Sequence, residues 1–161
     1  FRLAITRRPH RERFMRMYFG SECCDAGIST PRPEYPPEWT KPHISMYDHL
    51  NYKFILAIEG YDVATNLKWI MSSNSLAVMP RPTYETWFME GTLIPDYHYV
   101  EIKPDYSDLE ERMRYYIEHP AQAEAIIAHA HEYIAQFRDR EREKLIALLV
   151  LRNYFRRTGQ C

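Results

Sequence analysis

Four groups of residues in the chain have types that could carry chemistry, and three of them also have a spacing that could serve it. The most informative is Ile58-Glu59-Gly60-Tyr61-Asp62-Val63-Ala64-Thr65-Asn66-Leu67-Lys68. It follows an apolar run, Phe54 to Ile58, and leads into a helix-forming stretch. Ligands of open α/β sheets bind at such carboxyl ends of strands. A helix that starts there presents unpaired N–H groups and a positive dipole end, which can hold a phosphate without a glycine-rich loop. Gly60 allows a sharp turn or a close approach. Thr65 and Asn66 add neutral donors, and Lys68 adds a cation two turns in. Asp62 at the N-cap would repel a phosphate unless it faced a sugar hydroxyl. Spacing alone favours an ordinary strand–turn–helix over a phosphate site here.

A second group, Arg7, Arg8, His10, Arg11 and Arg13, surrounds a helix start. Arginine suits diphosphate because its planar fork binds oxygen pairs bidentately, although a solvated basic face explains the cluster as readily. In the third, Tyr84-Glu85-Thr86-Trp87 with Glu90 places two carboxylates near aromatic rings. A carboxylate can accept from ribose hydroxyls and a ring can stack on a base; surface packing is the plainer alternative. The fourth, the histidines, offers no ligand spacing: His129 and His131, two apart, face different sides of a helix. There is no G-x-S-x-G elbow and no nucleophile with a matching base.

These residues need elements to hold them. The pattern predicts a strand within Phe1–Thr6, a helix from Pro9 to Phe19 with Phe14, Met17 and Tyr18 as its apolar face, and a strand within Cys23–Ser29. Thr30–Pro42 holds five prolines and reads as an irregular connection. Ser45 caps a short helix, with Asp48 three residues later. Tyr52–Glu59 reads as a strand buried on both faces. Asp62 is expected to cap a helix from Val63 to about Ser72, and Ser75–Met79 is a second buried strand, so strand, helix and strand follow at βαβ spacing. Thr83–Gly91 suggests a short helix and Tyr97–Ile102 a further strand. Ser107 with Glu110 reads as a capping box, and its helix runs to about Glu118. Pro120 opens the next helix, with Ile126, Ala130 and Ile134 on one face. Arg138–Lys144 reads as a solvated charged stretch, before a last helix from about Glu141 to Phe155 with Leu145, Leu148, Leu149 and Phe155 on one side. The fold class expected is α/β: one Rossmann-like layer over residues 1–161 with a helical C-terminal tail.

Composition bounds the rest. The chain has 161 residues, 45% hydrophobic and 27% charged, with 21 Lys plus Arg against 22 Asp plus Glu. That is one ordinary globular domain. The net charge of −1 gives no general attraction to nucleic acid, which leaves only the local basic patch Arg7–Arg13 as an alternative of that kind. The longest apolar stretch, Leu145–Leu151, is far short of a membrane span. Glycines are few and dispersed, which excludes the glycine-rich nucleotide loops. Cys23, Cys24 and Cys161 form no C-x-x-C, and an odd count fits a reducing compartment. The chain begins with Phe1 and no signal peptide precedes it, so it reads as a fragment, or as one half of a larger protein.

The blocks Tyr52–Ile55, Glu59–Trp69 and Ser72–Ser75 resemble the central motif of glycosyltransferase family 90, the CAP10-domain family. Tyr84–Gly91, His98-Tyr99-Val100 and Asp105–Leu109 continue, in order, the pattern of its bacterial lipopolysaccharide core transferases of the LpsA type. Phe1-Arg2 and His10-Arg11 resemble its upstream arginine motif. Three positions depart: Leu3 stands where glycine is usual, Ala4 where the eukaryotic members have serine, and Tyr61 where bacterial members often have asparagine. Asn66 stands where eukaryotic members carry arginine, which places the chain on the bacterial side.

The resemblance implies a GT-B enzyme of two Rossmann-like halves, of which this chain is the carboxyl-terminal, donor-binding half. It implies inverting transfer of a sugar from a nucleotide donor, commonly UDP-linked, to a saccharide or glycolipid acceptor, with no cofactor, no bound metal and no nucleic-acid partner. It also implies a cytoplasmic enzyme that contacts the inner membrane peripherally. By that reading Arg11 contacts the diphosphate. Gly60, Asp62, Val63, Ala64, Thr65, Asn66 and Lys68 line the donor pocket, and Glu85 is the ribose ligand. The catalytic base belongs to the other half. The alternative is a Rossmann-like interaction module that has lost catalysis, for which the loss of glycine at Leu3 is the main support.

Overall fold

The structure is a computed structural model and describes residues 2, 3, 5 and 8–160. Phe1, Ala4, Thr6, Arg7, Cys161 and the side chain of Leu3 lie outside the described residues, so the expectations placed on them are untouched.

The chain builds a small parallel pair, β1 (Arg2–Leu3) with β2 (Gly27–Ile28), and a three-stranded parallel sheet in the order β3 (Phe54–Leu56), β4 (Leu76–Met79), β5 (Val100–Glu101). In register, Leu56 faces Val78 and Val78 faces Val100. The predicted strands are present but shorter, at both ends except for β4, which ends at Met79 as expected; past β3 the chain stays buried through Ala57 and Ile58.

Side chains alternate across this sheet, as the pleat requires. Leu56, Ile58, Leu76, Val78, Val100 and Ile102 enter one layer of core, which is closed by α1 (Pro9–Tyr18), α4 (Leu109–Glu118), Ile28 and Trp39. Ile55, Ala57, Ala77, Met79 and Tyr99 enter the other, closed by α3 (Leu67–Ile70), Phe88 and Leu93. The long helix α5 (Pro120–Ala135) reaches both, through Ile126 on one side and Ala130 and Ile134 on the other. These three are the face read from the sequence.

The link from β2 to β3 is irregular, as the prolines require, and contains α2 (Met46–His49). Ser45 and Asp48 form the expected reciprocal cap, with the Asp48 N–H donating to Ser45 Oγ (3.1 Å) and the Ser45 N–H to Asp48 Oδ2 (3.0 Å). Asp25 ties the two sheets together by accepting from Lys41 Nζ (2.8 Å), Arg2 Nη1 (3.2 Å) and the Tyr52 hydroxyl (2.9 Å). Burial opposes its charge, but these donors overrule it and hold the carboxyl well below the usual range.

Five local expectations need correction. On α1 the buried residues are Phe14, Met15 and Tyr18, while Met17 is exposed. The helix after Gly60 starts at Leu67, not Val63, and is a single turn with Asn66 before it. Thr83–Gly91 is not an α-helix; a 3-10 turn, Glu90–Thr92, follows the loop. The Ser107 capping box does not form, because Asp105 takes both the N–H (3.1 Å) and the hydroxyl (2.8 Å) of Ser107, and Asp108 is the N-cap residue. Such short local bonds compete directly with helix caps. Finally, the terminal helix α6 (Arg140–Thr158) takes in most of the charged stretch and buries none of its residues. Asp139 caps it by accepting from Glu141 N–H and Arg142 N–H. Leu145, Ile146, Leu148, Leu149, Val150, Leu151 and Phe155 are all exposed on it, so the apolar residues do not form a single buried stripe. Among the described residues no helix is long and apolar enough to cross a membrane.

Tyr99 is fully buried, and its hydroxyl has no hydrogen-bond partner among the described residues. Leaving a buried polar group unmade costs about 1–3 kcal/mol. Tyr99→Phe is therefore expected to stabilise the protein by about 1 kcal/mol and to raise the melting temperature by roughly 2–4 °C, read by thermal unfolding. A fall in melting temperature would show that the hydroxyl is satisfied.

Candidate active-site cleft

A cleft of ≈ 280 Å³ opens where β3 and β4 end. One wall is the chain after β3: Ala57 to Gly60, Val63, Ala64 and Leu67. The other is the chain after β4: Met79-Pro80-Arg81-Pro82-Thr83-Tyr84. His10, Glu90, Pro104 and Tyr106 complete it. This is the edge of a parallel sheet at which α/β proteins bind ligands.

The first wall is braced from α1. Arg11 donates from Nε to the Glu59 carbonyl (2.8 Å) and from Nη2 to the Ile58 carbonyl (2.6 Å), and His10 Nε2 lies 2.9 Å from the Glu59 carbonyl. A parallel strand that ends in a cleft leaves such carbonyls without a ladder partner, and these side chains satisfy them. Burial, aided by the like charge of Arg8, shifts the Arg11 guanidinium toward easier deprotonation, although an arginine remains charged at neutral pH. Gly60 packs closely on these arginines: a Cβ there would be tight against Arg11 Nη2 at 3.3 Å and in ordinary contact with Arg8 Nε at 3.6 Å. Arg8 also lies over the Tyr61 ring, 3.8 Å from its centroid.

The turn after Gly60 is closed by its own backbone, with the Gly60 N–H donating to the Asp62 carbonyl (2.9 Å). Val63 and Ala64 then turn inward and are buried. Asn66 donates from Nδ2 to the Leu56 carbonyl (2.8 Å), which ties the turn to the end of β3. That use of Asn66, together with the burial of Val63 and Ala64, explains why the helix begins late.

The second wall is organised by two carboxylates. Glu59 accepts from the Thr83 N–H (2.8 Å), the Thr83 hydroxyl (2.5 Å) and the Tyr84 N–H (3.1 Å), so it pins one wall to the other. Glu90 is only 1% exposed. It accepts from the Thr86 N–H (2.7 Å) and hydroxyl (2.9 Å) and pairs with Lys68 Nζ at 3.1 Å. Burial opposes the Glu90 charge, but these donors outweigh it and the carboxyl lies below its ordinary value. The Lys68 ammonium is also 5.0 Å from the Phe88 ring centroid and 5.5 Å from that of Trp87.

The floor includes Tyr106, in the left-handed region at φ 65°. Backbone strain of this kind persists only where the surroundings over-determine it. Here the Tyr18 hydroxyl donates to the Tyr106 carbonyl (2.5 Å) and the ring meets Phe14 edge-on at 5.4 Å. Burial pushes the Tyr106 hydroxyl up to about 12.

Of the residues expected to bind a donor, Gly60, Val63 and Ala64 line the cleft. Arg11 stands directly behind Gly60, engaged with the two carbonyls. Asp62 and Thr65 are exposed outside the lining; Asn66 and Lys68 are committed to Leu56 and Glu90. Glu85 is exposed and lies against Gly91, with Oε1 3.3 Å from where a Cβ would stand. Sequence reasoning did not assign Glu59, Arg81 or Tyr106 to the site. The signal for Arg81 was its place between two prolines directly after a buried strand.

Comparison with known proteins fits this picture. Residues 24–154 match the model of Glycosyl transferase family 90. The chain is 45% identical over 146 residues to the O-glucosyltransferase LpsA of Dichelobacter nodosus, covering 91% of this chain and 46% of that one. It is 31% identical over 100 residues to the uncharacterized protein 035R of Invertebrate iridescent virus 3, covering 61% of this chain and 9% of that one. It is 27% identical over 84 residues to the protein O-glucosyltransferase 2 of Danio rerio, covering 52% and 17%. The chain thus spans about half the length, or less, of the curated relatives it matches. The cleft walls, the braced strand ends and the loop around Glu90 all lie inside the matched segment, and the chain belongs to glycosyltransferase family 90.

Proposed function

We propose that this chain is the donor-binding half of a GT-B glycosyltransferase that moves a hexosyl residue from a nucleotide sugar to a saccharide or glycolipid acceptor. The observation that carries this reading is the cleft at the carboxyl ends of β3 and β4, inside a segment matched by the family model. The relative LpsA is an O-glucosyltransferase, which supports a glucosyl or closely related donor. The resemblance to lipopolysaccharide core transferases makes a lipopolysaccharide core the acceptor of choice and UDP the donor nucleotide. It also favours inversion at the sugar carbon, catalysis without a metal, and work at the cytoplasmic face of the inner membrane.

In such a transfer a base removes the acceptor proton while the enzyme stabilises the departing diphosphate. The base comes from polypeptide outside this chain. This half supplies the pocket for the donor, with Gly60, Val63 and Ala64 as its lining and Arg11 fixing its shape.

Calorimetric titration of the protein with UDP, UDP-glucose and UDP-galactose tests the reading. Saturable binding of UDP and of at least one UDP-sugar is expected. A folded protein that binds none of the three, and no other nucleoside diphosphate, would overturn it.

A further inference from the structure

Arg81 stands between Pro80 and Pro82, immediately after the central strand β4, and lines the cleft. Proline on its C-terminal side restricts Arg81 to extended backbone, and Pro80 has its own φ fixed, so the guanidinium is presented from a stiff segment. Arg81 is exposed. Among the described residues it makes no ion pair and no hydrogen bond through its side chain.

The other charges of the cleft are differently placed. Glu59 is held by Thr83 and Tyr84, and Glu90 by Lys68 and Thr86. Arg11, the residue expected to meet the diphosphate, directs Nε and Nη2 to the Glu59 and Ile58 carbonyls. Both cleft carboxylates are therefore engaged by internal donors, those of Glu90 including the Lys68 cation, while the Arg81 fork is available to a ligand. A planar guanidinium of this kind matches two phosphoryl oxygens at once. On the β3 side, His10 keeps Nδ1 unengaged among the described residues, its Nε2 being held by Glu59.

We propose that Arg81 contacts the terminal phosphate of the nucleotide donor, and that Arg11 is a positioning residue which shapes the wall opposite. The assignment rests on the reading that the cleft takes a nucleotide sugar. It divides the two arginines by role: one binds the leaving group, the other holds the strand end on which the pocket is built.

The test compares calorimetric affinities for UDP and UMP in the wild-type protein and in Arg81→Ala, Arg81→Gln and Arg81→Lys. Loss of a charge-assisted contact to the terminal phosphate is expected to lower the UDP-to-UMP affinity ratio about tenfold or more in the alanine and glutamine variants. The lysine variant, which keeps charge without the fork, is expected to fall between them and wild type. Melting temperatures within about 2 °C of wild type, as for an exposed side chain, show that the variants are folded. An unchanged UDP-to-UMP ratio in Arg81→Ala would overturn the role of Arg81 while leaving the donor cleft intact. A wild-type protein that binds neither nucleotide would remove the cleft reading itself, and the inference with it.

Discussion

Lys68→Ala is expected to destabilise the protein by about 2–3 kcal/mol, less than the 3–5 kcal/mol of a fully buried pair because one side of this pair is partly wet. The Lys68 side chain is 25% exposed and that of Glu90 1%. Removing the ammonium leaves a carboxylate inside the fold with Thr86 as its remaining side-chain donor. It also removes the cation from beside Phe88 and Trp87. Melting temperature should fall by roughly 5–10 °C. Glu90→Gln is expected to cost less, since the amide can still accept from Thr86 and Lys68 can reach water.

The same pair fixes the sign of a pH effect. The folded carboxyl of Glu90 lies below its ordinary value. Its contribution to stability is therefore complete above the unfolded glutamate value, about 4.3, and is lost as pH falls through the folded value. In Lys68→Ala the Thr86 donors still offset part of the burial, but one lowering partner is gone, so the Glu90 carboxyl moves up and its protonation relieves the charge left without a cation. The gap between wild type and variant should narrow between pH 7 and pH 4, as read by thermal melts. An equal gap at both values would mean that the ion pair is not the source of the loss.

Arg11→Ala is expected to damage both stability and binding. It removes two bonds from a charged donor, to carbonyls of buried Ile58 and of Glu59. The loss should be about 2–3 kcal/mol. It also opens the space behind Gly60, so the wall that lines the cleft loses its support. UDP affinity should fall about tenfold or more. Arg11→Lys should recover little of either, because one ammonium cannot reproduce the two divergent bonds of the fork. Melting and nucleotide titration of the two variants check this. Wild-type UDP affinity in Arg11→Ala would show that the braced wall is not part of the binding surface.

Much of the sheet was legible before any coordinates. The run Phe54–Ile58 and the run Leu76–Met79 are continuous apolar stretches, and only burial on both faces makes such stretches favourable. The face of α5 was equally plain, since i, i+4 spacing reports a helix stripe directly. The segment after Gly60 misled because Asp62 is a good cap residue taken alone. Its promise was overridden by longer-range demands: Val63 and Ala64 had core to fill, and Asn66 had a strand carbonyl to satisfy. Lys68 with Glu90 was invisible because the partners are 22 residues apart, and no local spacing encodes them. The same holds for the bond from Arg11 to the end of β3, 47 residues away. The sequence showed which residues were basic and which strand ended nearby; only the fold shows that the arginine serves the strand.

The alternation of β3 and β4 between two core layers has a consequence for how the chain can vary in length. Ile55 and Leu56 are neighbours in sequence but belong to opposite layers, as do Ala77 and Val78. One residue inserted or deleted inside either strand would exchange the contents of both layers downstream of it at once. It would also shift the strand ends from which Gly60 and Arg81 enter the cleft. Gains and losses of residues are thus confined to the connections, and the distance along the chain from the core to the mouth of the cleft is as fixed as the core itself.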